Sequence, residues 1–183
     1  MTHSIEIHTA RLHLRGWQRS DIPNMVQRIN DPDIGANTLQ VPYPYSLKDA
    51  ERFFERLEEG NSGALSFAVI RHRDGELIAG AGIHPPALEH HRADVGYWVA
   101  SDFRGQGYAT ELLGGLLEYG FAQLGMYRMY ATYFPHNPAS RRVMEKNGMQ
   151  FEGILRAYYF KHGEPQDVGI CAILRHEWQA RQR

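Results

Sequence analysis

The stretch DFRGQGYATELLGGLLEYGF, residues 102–121, changes character at its midpoint. Its first part sets Gly105 and Gly107 one residue apart beside Arg104. From Ala109 onward the apolar residues fall at helical spacing, at Ala109, Leu112, Leu113, Leu116, Leu117 and Phe121, and then at Leu124. Just before it, ADVGYWVA at 93–100 reads as a strand. A strand that passes through glycines straight into a long helix leaves two readings. The glycines either make a tight turn that needs positive φ, or they keep side chains away from the bare N–H groups and partial positive charge of a helix N-terminus. The ligand best matched to the second reading is a phosphate or pyrophosphate. Arg104 would add a formal charge at the same mouth.

The rest of the chain alternates between the two periods. RLHLRGW (11–17) reads as a strand, and Ser20 precedes a short helical pattern that stops at Asp31-Pro32. Residues 31–45, with Pro32, Pro42 and Pro44 among aromatics, read as an irregular but ordered loop. Ser46 with Asp49 forms a capping-box start for a helix ending near Gly60. LSFAVIRH and ELIAGAGI flank Asp74-Gly75, a hairpin signal. YRMYATYF (127–134) returns to strand, Asn137-Pro138 opens a shorter helix stopped by Gly148, and two last strands flank His162-Gly163. With no repeat and no linker, residues 1–183 form a single mixed α/β domain.

Charge narrows the function classes. Lys plus Arg (20) nearly cancels Asp plus Glu (21), so no basic field suggests nucleic acid. No apolar run approaches the roughly 20 residues of a membrane span. The single cysteine, Cys171, allows no internal disulfide and fits a reducing compartment. The N-terminal MTHSIEIHTARLHL carries no signal-peptide pattern, so a cytoplasmic protein is expected.

Two familiar phosphate motifs fail on detail. The dinucleotide fingerprint needs a third glycine or alanine where Thr110 stands, and a P-loop needs a Gly-Lys-Ser/Thr tripeptide, which the chain lacks. Arg104-Gly105-Gln106-Gly107-Tyr108-Ala109 instead matches the R/Q-x-x-G-x-G/A signature of the GNAT acetyltransferase superfamily. ADVGYWVASDFRGQGYATE, HNPASRRVMEKNGMQFEGILR and HGEPQDVGICAILRHEW together resemble its ribosomal-protein N-terminal acetyltransferase (RimJ/RimL-like) branch, in order, from about residue 9 to 178. The resemblance implies an α/β (α+β) fold, with a central, mostly antiparallel mixed sheet that splays open near 93–100 and is flanked by helices. It implies acetyl-CoA as co-substrate, its pantetheine pairing with backbone at Tyr97, Trp98 and Val99. Its pyrophosphate would sit on N–H groups across Arg104, Gly105, Gln106, Gly107, Tyr108, Ala109 and Thr110. Asn137 matches a cofactor-touching position, and reads equally well as a helix cap.

Acetyl transfer to an amine needs a neutral nitrogen, a polarised carbonyl and a proton for the leaving thiolate. Asp94, at the start of the cofactor strand, is the first candidate base, and His84, before Pro85-Pro86, the second. Many family members place a tyrosine seven residues after the asparagine, but here that position is Met144, leaving Ser140 as the polar candidate near the thiol. Cys171, within VGICAIL, reads as a buried structural residue rather than a nucleophile. Glu89, His90 and His91 lack metal-ligand spacing and read as a solvated loop, so no metal is expected.

The expected partners are acetyl-CoA and an amine acceptor, either a protein N-terminus or a small molecule. Neither nucleic acid nor membrane is expected, and related proteins are often homodimers. Acceptor walls would come from 31–45 and 84–92, with Tyr43, Tyr45 and His84 as contacts. A non-catalytic acyl-CoA-binding module is the alternative that Met144 favours.

Overall fold

The runs with a two-residue period become one eight-stranded sheet, in the order β1-β2-β3-β4-β5-β6-β8-β7. The computed structural model describes residues 5–60, 63–84 and 86–182; the first four residues and Pro85 of the stretches read above lie outside these. The strands are β1 (Ile7–His8), β2 (Leu12–Gly16), β3 (Leu65–Arg71), β4 (Leu77–Ile83), β5 (Arg92–Val99), β6 (Arg128–Tyr133), β7 (Gln150–Lys161) and β8 (Glu164–Leu174). Every neighbouring pair is antiparallel except β5 with β6. β1 has too few residues to leave a periodic pattern, which is why it is absent from the sequence reading.

The helices are α1 (Ile22–Ile29), α2 (Pro32–Asn37), α3 (Leu47–Glu58), α4 (Tyr108–Ala122), α5 (Pro138–Lys146) and α6 (Arg175–Arg181). The capping box of α3 is present: the Asp49 N–H donates to Ser46 Oγ (3.3 Å) and the Ser46 N–H to Asp49 Oδ2 (2.9 Å). Helix α2 corrects the reading of 31–45 as wholly irregular. Asp31-Pro32 ends one helix and also starts the next, because Asp31 Oδ1 accepts the Asp33 N–H at 2.7 Å and Pro32 suits the first turn. Helix α6 is likewise an addition, and Glu177 caps it by accepting the Leu174 N–H at 2.8 Å.

Strand alternation divides the core between the two faces of the sheet. On one face Leu12, Leu14, Phe67, Ile83 and Met129 pack under Leu112, Leu113, Leu116 and Leu117 of α4. On the other, Ala68 and Leu77 meet Met25, Ile29, Ile34 and Phe54 from α1, α2 and α3. Each such aliphatic or aromatic side chain contributes about 1.5–3 kcal/mol by leaving water. Helix α4 lies close on the sheet because Gly120 is bare: a Cβ there would stand 2.5 Å from Met129 Cε. β7 is a long edge strand, with Phe151, Ile154, Tyr158 and Phe160 exposed.

The feature that positions the site is a divergence. β5 and β6 pair only through Arg92–Arg128, Ala93–Met129 and Asp94–Tyr130. Beyond Asp94 the two strands part, and the sheet opens in a V between Val95–Val99 and Ala131–Tyr133.

Candidate functional site

At the end of β5 the chain makes a single 3₁₀ turn, Ser101–Phe103, and enters α4 through the two glycines. Gly105 has φ 74° and Gly107 φ 83°, values that L side chains rarely adopt, so the turn itself requires glycine at both positions. It also leaves every backbone N–H from Gly105 to Thr110 without an acceptor among the described residues. Tyr108, Ala109 and Thr110 form the first turn of α4, where the N–H groups point out of the helix end.

The positive charge beside this row is not the expected one. The Arg104 guanidinium turns away to Asp31 (2.8 Å) and Asp33 (3.1 Å) at the start of α2, and its Nε donates to the Val99 carbonyl at 3.0 Å. The charge anticipated at the mouth is therefore neutralised by two carboxylates, and Arg104 ties α2 to the end of β5. The neighbouring cation is Arg11, on the turn between β1 and β2. It donates to the Gln106 carbonyl (3.1 Å) and to Glu111 Oε2 (2.6 Å), and lies 4.4 Å over the Tyr108 ring. The Gln106 side chain donates back to the Asp102 carbonyl at 2.9 Å. Glu111 also accepts from Thr9 Oγ1 and the Arg11 N–H, both at 2.6 Å. Burial opposes its charge, but these bonds win and its pKa is lowered. Thr9, Arg11 and Glu111 were invisible in the sequence because about a hundred residues separate the partners.

The alternation of hydrogen bonds on β5 decides which backbone groups face the V. The Ala100 N–H donates to Ile78 and the His84 N–H to Asp94, in one antiparallel register. Gly96 and Trp98 thus exchange their bonds with β4, while the groups of Tyr97 and Val99 point to the open edge. The expectation for Trp98 is corrected on this point. Its backbone is engaged with Gly80, and a Cβ on Gly80 would stand 2.5 Å from Trp98 Nε1.

Across the V, Asn137 caps α5 by accepting the Ser140 N–H at 3.2 Å. That leaves its amide NH₂ without a partner among the described residues. Ser140 Oγ approaches the Tyr97 hydroxyl at 3.4 Å, long for a hydroxyl pair. Burial pushes the Tyr97 pKa up to about 12 against the opposing contact from Ser140, so the phenol keeps its proton. Met144 is 1% exposed and packs in the core beneath α4. Cys171 is fully buried, and burial pushes its thiol pKa up, as a structural residue requires.

The two base candidates, assigned separately from sequence, form a pair. His84 Nδ1 lies 2.8 Å from Asp94 Oδ2, and the Asp94 contact raises the His84 pKa against the effect of burial. The other carboxylate oxygen, Asp94 Oδ1, is buried without a partner. Gly96 makes room for the ring, since a Cβ there would stand 3.1 Å from His84 Cε1. Asp94 and Tyr97 alternate across β5, so the His84–Asp94 pair and the Tyr97–Ser140 hydroxyls lie on opposite faces of the sheet at the same opening.

Of the acceptor contacts, Tyr43 is exposed, but Tyr45 is 6% exposed and packs with Met25 and Phe54 in the core under α1 and α3. That corrects its assignment, because a tyrosine spent on the core has no face for a substrate. The sequence also missed a strut from β7. Lys161 Nζ donates to the carbonyls of Gly35 (2.5 Å), Ala36 (2.8 Å) and Thr38 (2.7 Å), closing the C-terminal end of α2. Residues 84–92 include a 3₁₀ turn, Leu88–His90, with its histidines exposed.

Residues 11–150 match the acetyltransferase (GNAT) domain family. An uncharacterized N-acetyltransferase of Bacillus subtilis, YoaA, is 35% identical over 111 residues, 61% of this chain and 63% of that one. Among solved structures, a Vibrio cholerae protein provisionally named a ribosomal-protein-serine acetyltransferase superposes with a TM-score of 0.83 at 24% identity, covering 95% of this chain and 99% of the other. The spermidine N-acetyltransferase of Vibrio cholerae, in complex with CoA and spermine, gives 0.78 at 24% identity over 93% and 99%. At that identity both likenesses are of fold.

Proposed function

The chain belongs to the GNAT acetyltransferase family, and from that premise we propose that it transfers the acetyl group of acetyl-CoA to the N-terminal α-amine of a peptide or protein. The row of unpaired N–H groups from Gly105 to Thr110 is the observation that carries the donor half. With no Cβ at Gly105 or Gly107, with Arg11 alongside and with a helix end behind, those residues fit a pyrophosphate. The free edge at Tyr97, with the Val99 N–H beside it, suits the pantetheine arm, whose amides need backbone partners; the Val99 carbonyl is held by Arg104.

The chemistry falls to the two side-chain pairs. With its Nδ1–H donated to Asp94, neutral His84 keeps Nε2 as the base that takes the proton of the acceptor ammonium. Asp94 holds the ring and stabilises the imidazolium. On the other face, the Tyr97 and Ser140 hydroxyls hydrogen-bond the departing sulfur, which takes up the second proton that the attacking nitrogen loses as the amide forms. The products are an amide and a free thiol.

The α-amine preference follows from this modest base. An α-amine has a pKa of about 7.7–8.0, against about 10.4 for lysine, so roughly a tenth is already neutral at pH 7. The rim argues against a polycation, since Asp31 and Asp33 are taken by Arg104 and Lys161 adds a cation. A small-molecule amine is the second reading, and the spermidine N-acetyltransferase neighbour is what favours it. Thiol release from acetyl-CoA across peptides of varied first residue, spermidine, free amino acids and an aminoglycoside tests both. A peptide should give the highest kcat/KM. Higher efficiency on spermidine or the aminoglycoside rejects the α-amine, and no release with any acceptor leaves a binding module.

The lone buried cysteine supports a cytoplasmic setting, and among the described residues no helix is long and apolar enough to cross a membrane. The exposed apolar side chains of β7 support a homodimer, which a solution mass of one chain would exclude.

A further inference from the structure

At the far edge of the sheet from β7, strand alternation gathers side chains that the acetyl-transfer reading does not use. His8 and His13 are Cα partners on β1 and β2, and their rings stack at 4.2 Å with 10° between planes. Glu6, two residues before His8, lies on the same face of the extended chain. Its Oε2 is 2.9 Å from His13 Nε2 and 3.6 Å from His8 Nε2. His72, beyond the end of β3, stacks on both rings at 5.8 and 6.4 Å.

We propose that Glu6, His8 and His13, walled by His72, form a site for one divalent transition-metal ion of the zinc type. One donor atom from each of the three lies within 4.8 Å of the others, and no other such group exists among the described residues. A tetrahedral ion with bonds of about 2.0–2.2 Å needs donors about 3.3–3.6 Å apart, so the stacked His8 and His13 rings turn out of parallel until their in-plane lone pairs meet at the ion, with the exposed Glu6 carboxylate closing the third side. Two imidazoles and a carboxylate select zinc, copper, nickel or cobalt over magnesium and calcium, which prefer oxygen alone. The strands supply the geometry, since Glu6 just before β1, His8 on β1 and His13 on β2 converge only if the pairing of those two strands is in place. The turn between His8 and His13 carries Thr9 and Arg11, so the ion fastens the segment that anchors the start of α4.

The test is calorimetric titration of the untagged full chain with zinc chloride in a non-chelating buffer. One ion per chain with a Kd of about 10 µM or tighter is expected, with a melting temperature raised by several degrees in excess zinc. Glu6→Gln and His13→Ala should each weaken binding at least tenfold, while a His90→Ala/His91→Ala double variant binds as the parent. If His13→Ala misfolds by circular dichroism, the exposed Glu6→Gln and His8→Asn carry the test. No uptake by the parent chain overturns the proposal. So does uptake unchanged in Glu6→Gln, His8→Asn and His13→Ala.

Discussion

The two halves of the opening beside β5 are built from different materials. The half proposed for the donor is backbone: N–H groups from Gly105 to Thr110 and the free edge at Tyr97. The half proposed for the acceptor is side chains, the His84–Asp94 pair, and Arg104 and Lys161 hold α2 in place by side-chain bonds as well. Backbone fixed by a turn and a helix start tolerates change in most of its side chains but not in the conformation that aims the N–H groups. A side-chain pair concentrates its function in a few atoms and fails when one of them is altered. Substitutions should therefore separate the halves, those on the acceptor side acting on kcat and those on the donor side acting on the acetyl-CoA KM.

The largest expected effect tests the acceptor half. Asp94→Asn keeps the shape but removes the charge that orients His84 and raises its pKa. Removing the carboxylate that orients a catalytic histidine costs as much as about 10⁴-fold in rate, so kcat should fall about a hundredfold or more, with the acetyl-CoA KM near its parent value. The pH profile gives an independent reading. With His84 as the proposed base, neutral imidazole is the working form, so the parent kcat/KM should rise with pH through an inflection above the ordinary histidine value of about 6.5. In Asp94→Asn the residual activity should inflect at lower pH. An inflection that stays put while kcat falls would separate Asp94 from His84 and break the pair.

The same contrast governs what was legible in advance. The proposed donor half is nearly contiguous, so Gly105 and Gly107 between a strand pattern and a helix pattern mark the turn in the sequence itself. The acceptor half joins residues distant in sequence. His84 and Asp94 were both visible as candidates, but their pairing depends on the register between β4 and β5, which no local pattern encodes. Arg104 was misread for the same reason, because its carboxylate partners sit on α2, a helix hidden inside a proline-rich stretch. Tyr45 looked like a loop aromatic and proved to be core, since burial is a property of the packed chain.

The next largest effect tests the donor half. Gly107→Val places a β-branched side chain at φ 83°, beside the N–H row, with its Cβ 3.4 Å from Arg11 Nη2. Backbone strain of this kind costs about 1–3 kcal/mol, which a domain with about 5–15 kcal/mol of stability survives. The acetyl-CoA KM should rise tenfold or more in a protein that is still folded. Gly105→Ala sharpens the point, because its Cβ meets open space. It should lower the melting temperature and raise the KM less than Gly107→Val does. Unchanged acetyl-CoA affinity in folded Gly107→Val would remove the pyrophosphate from this turn.

The smallest effect probes the seam between the halves, where Tyr97 of β5 reaches Ser140 of α5. The tyrosine usual seven residues after the asparagine is absent, and its place is held by buried Met144, so an acid introduced there as Met144→Tyr would overpack the core rather than reach a thiol. The phenol at Tyr97 is the available substitute. It stays protonated at any physiological pH, and it approaches the one hydroxyl on the first turn of α5. Tyr97→Phe and Ser140→Ala should each lower kcat about three- to tenfold without moving the acetyl-CoA KM, the signature of an interaction made in the transition state. If the two hydroxyls hand hydrogen bonds to the sulfur in series, losing either breaks the same chain. The double variant should then be no slower than the slower single. Multiplicative losses would mean two independent contacts. A Tyr97→Phe enzyme with full turnover would make the phenol a packing residue and leave Ser140 alone with the thiol.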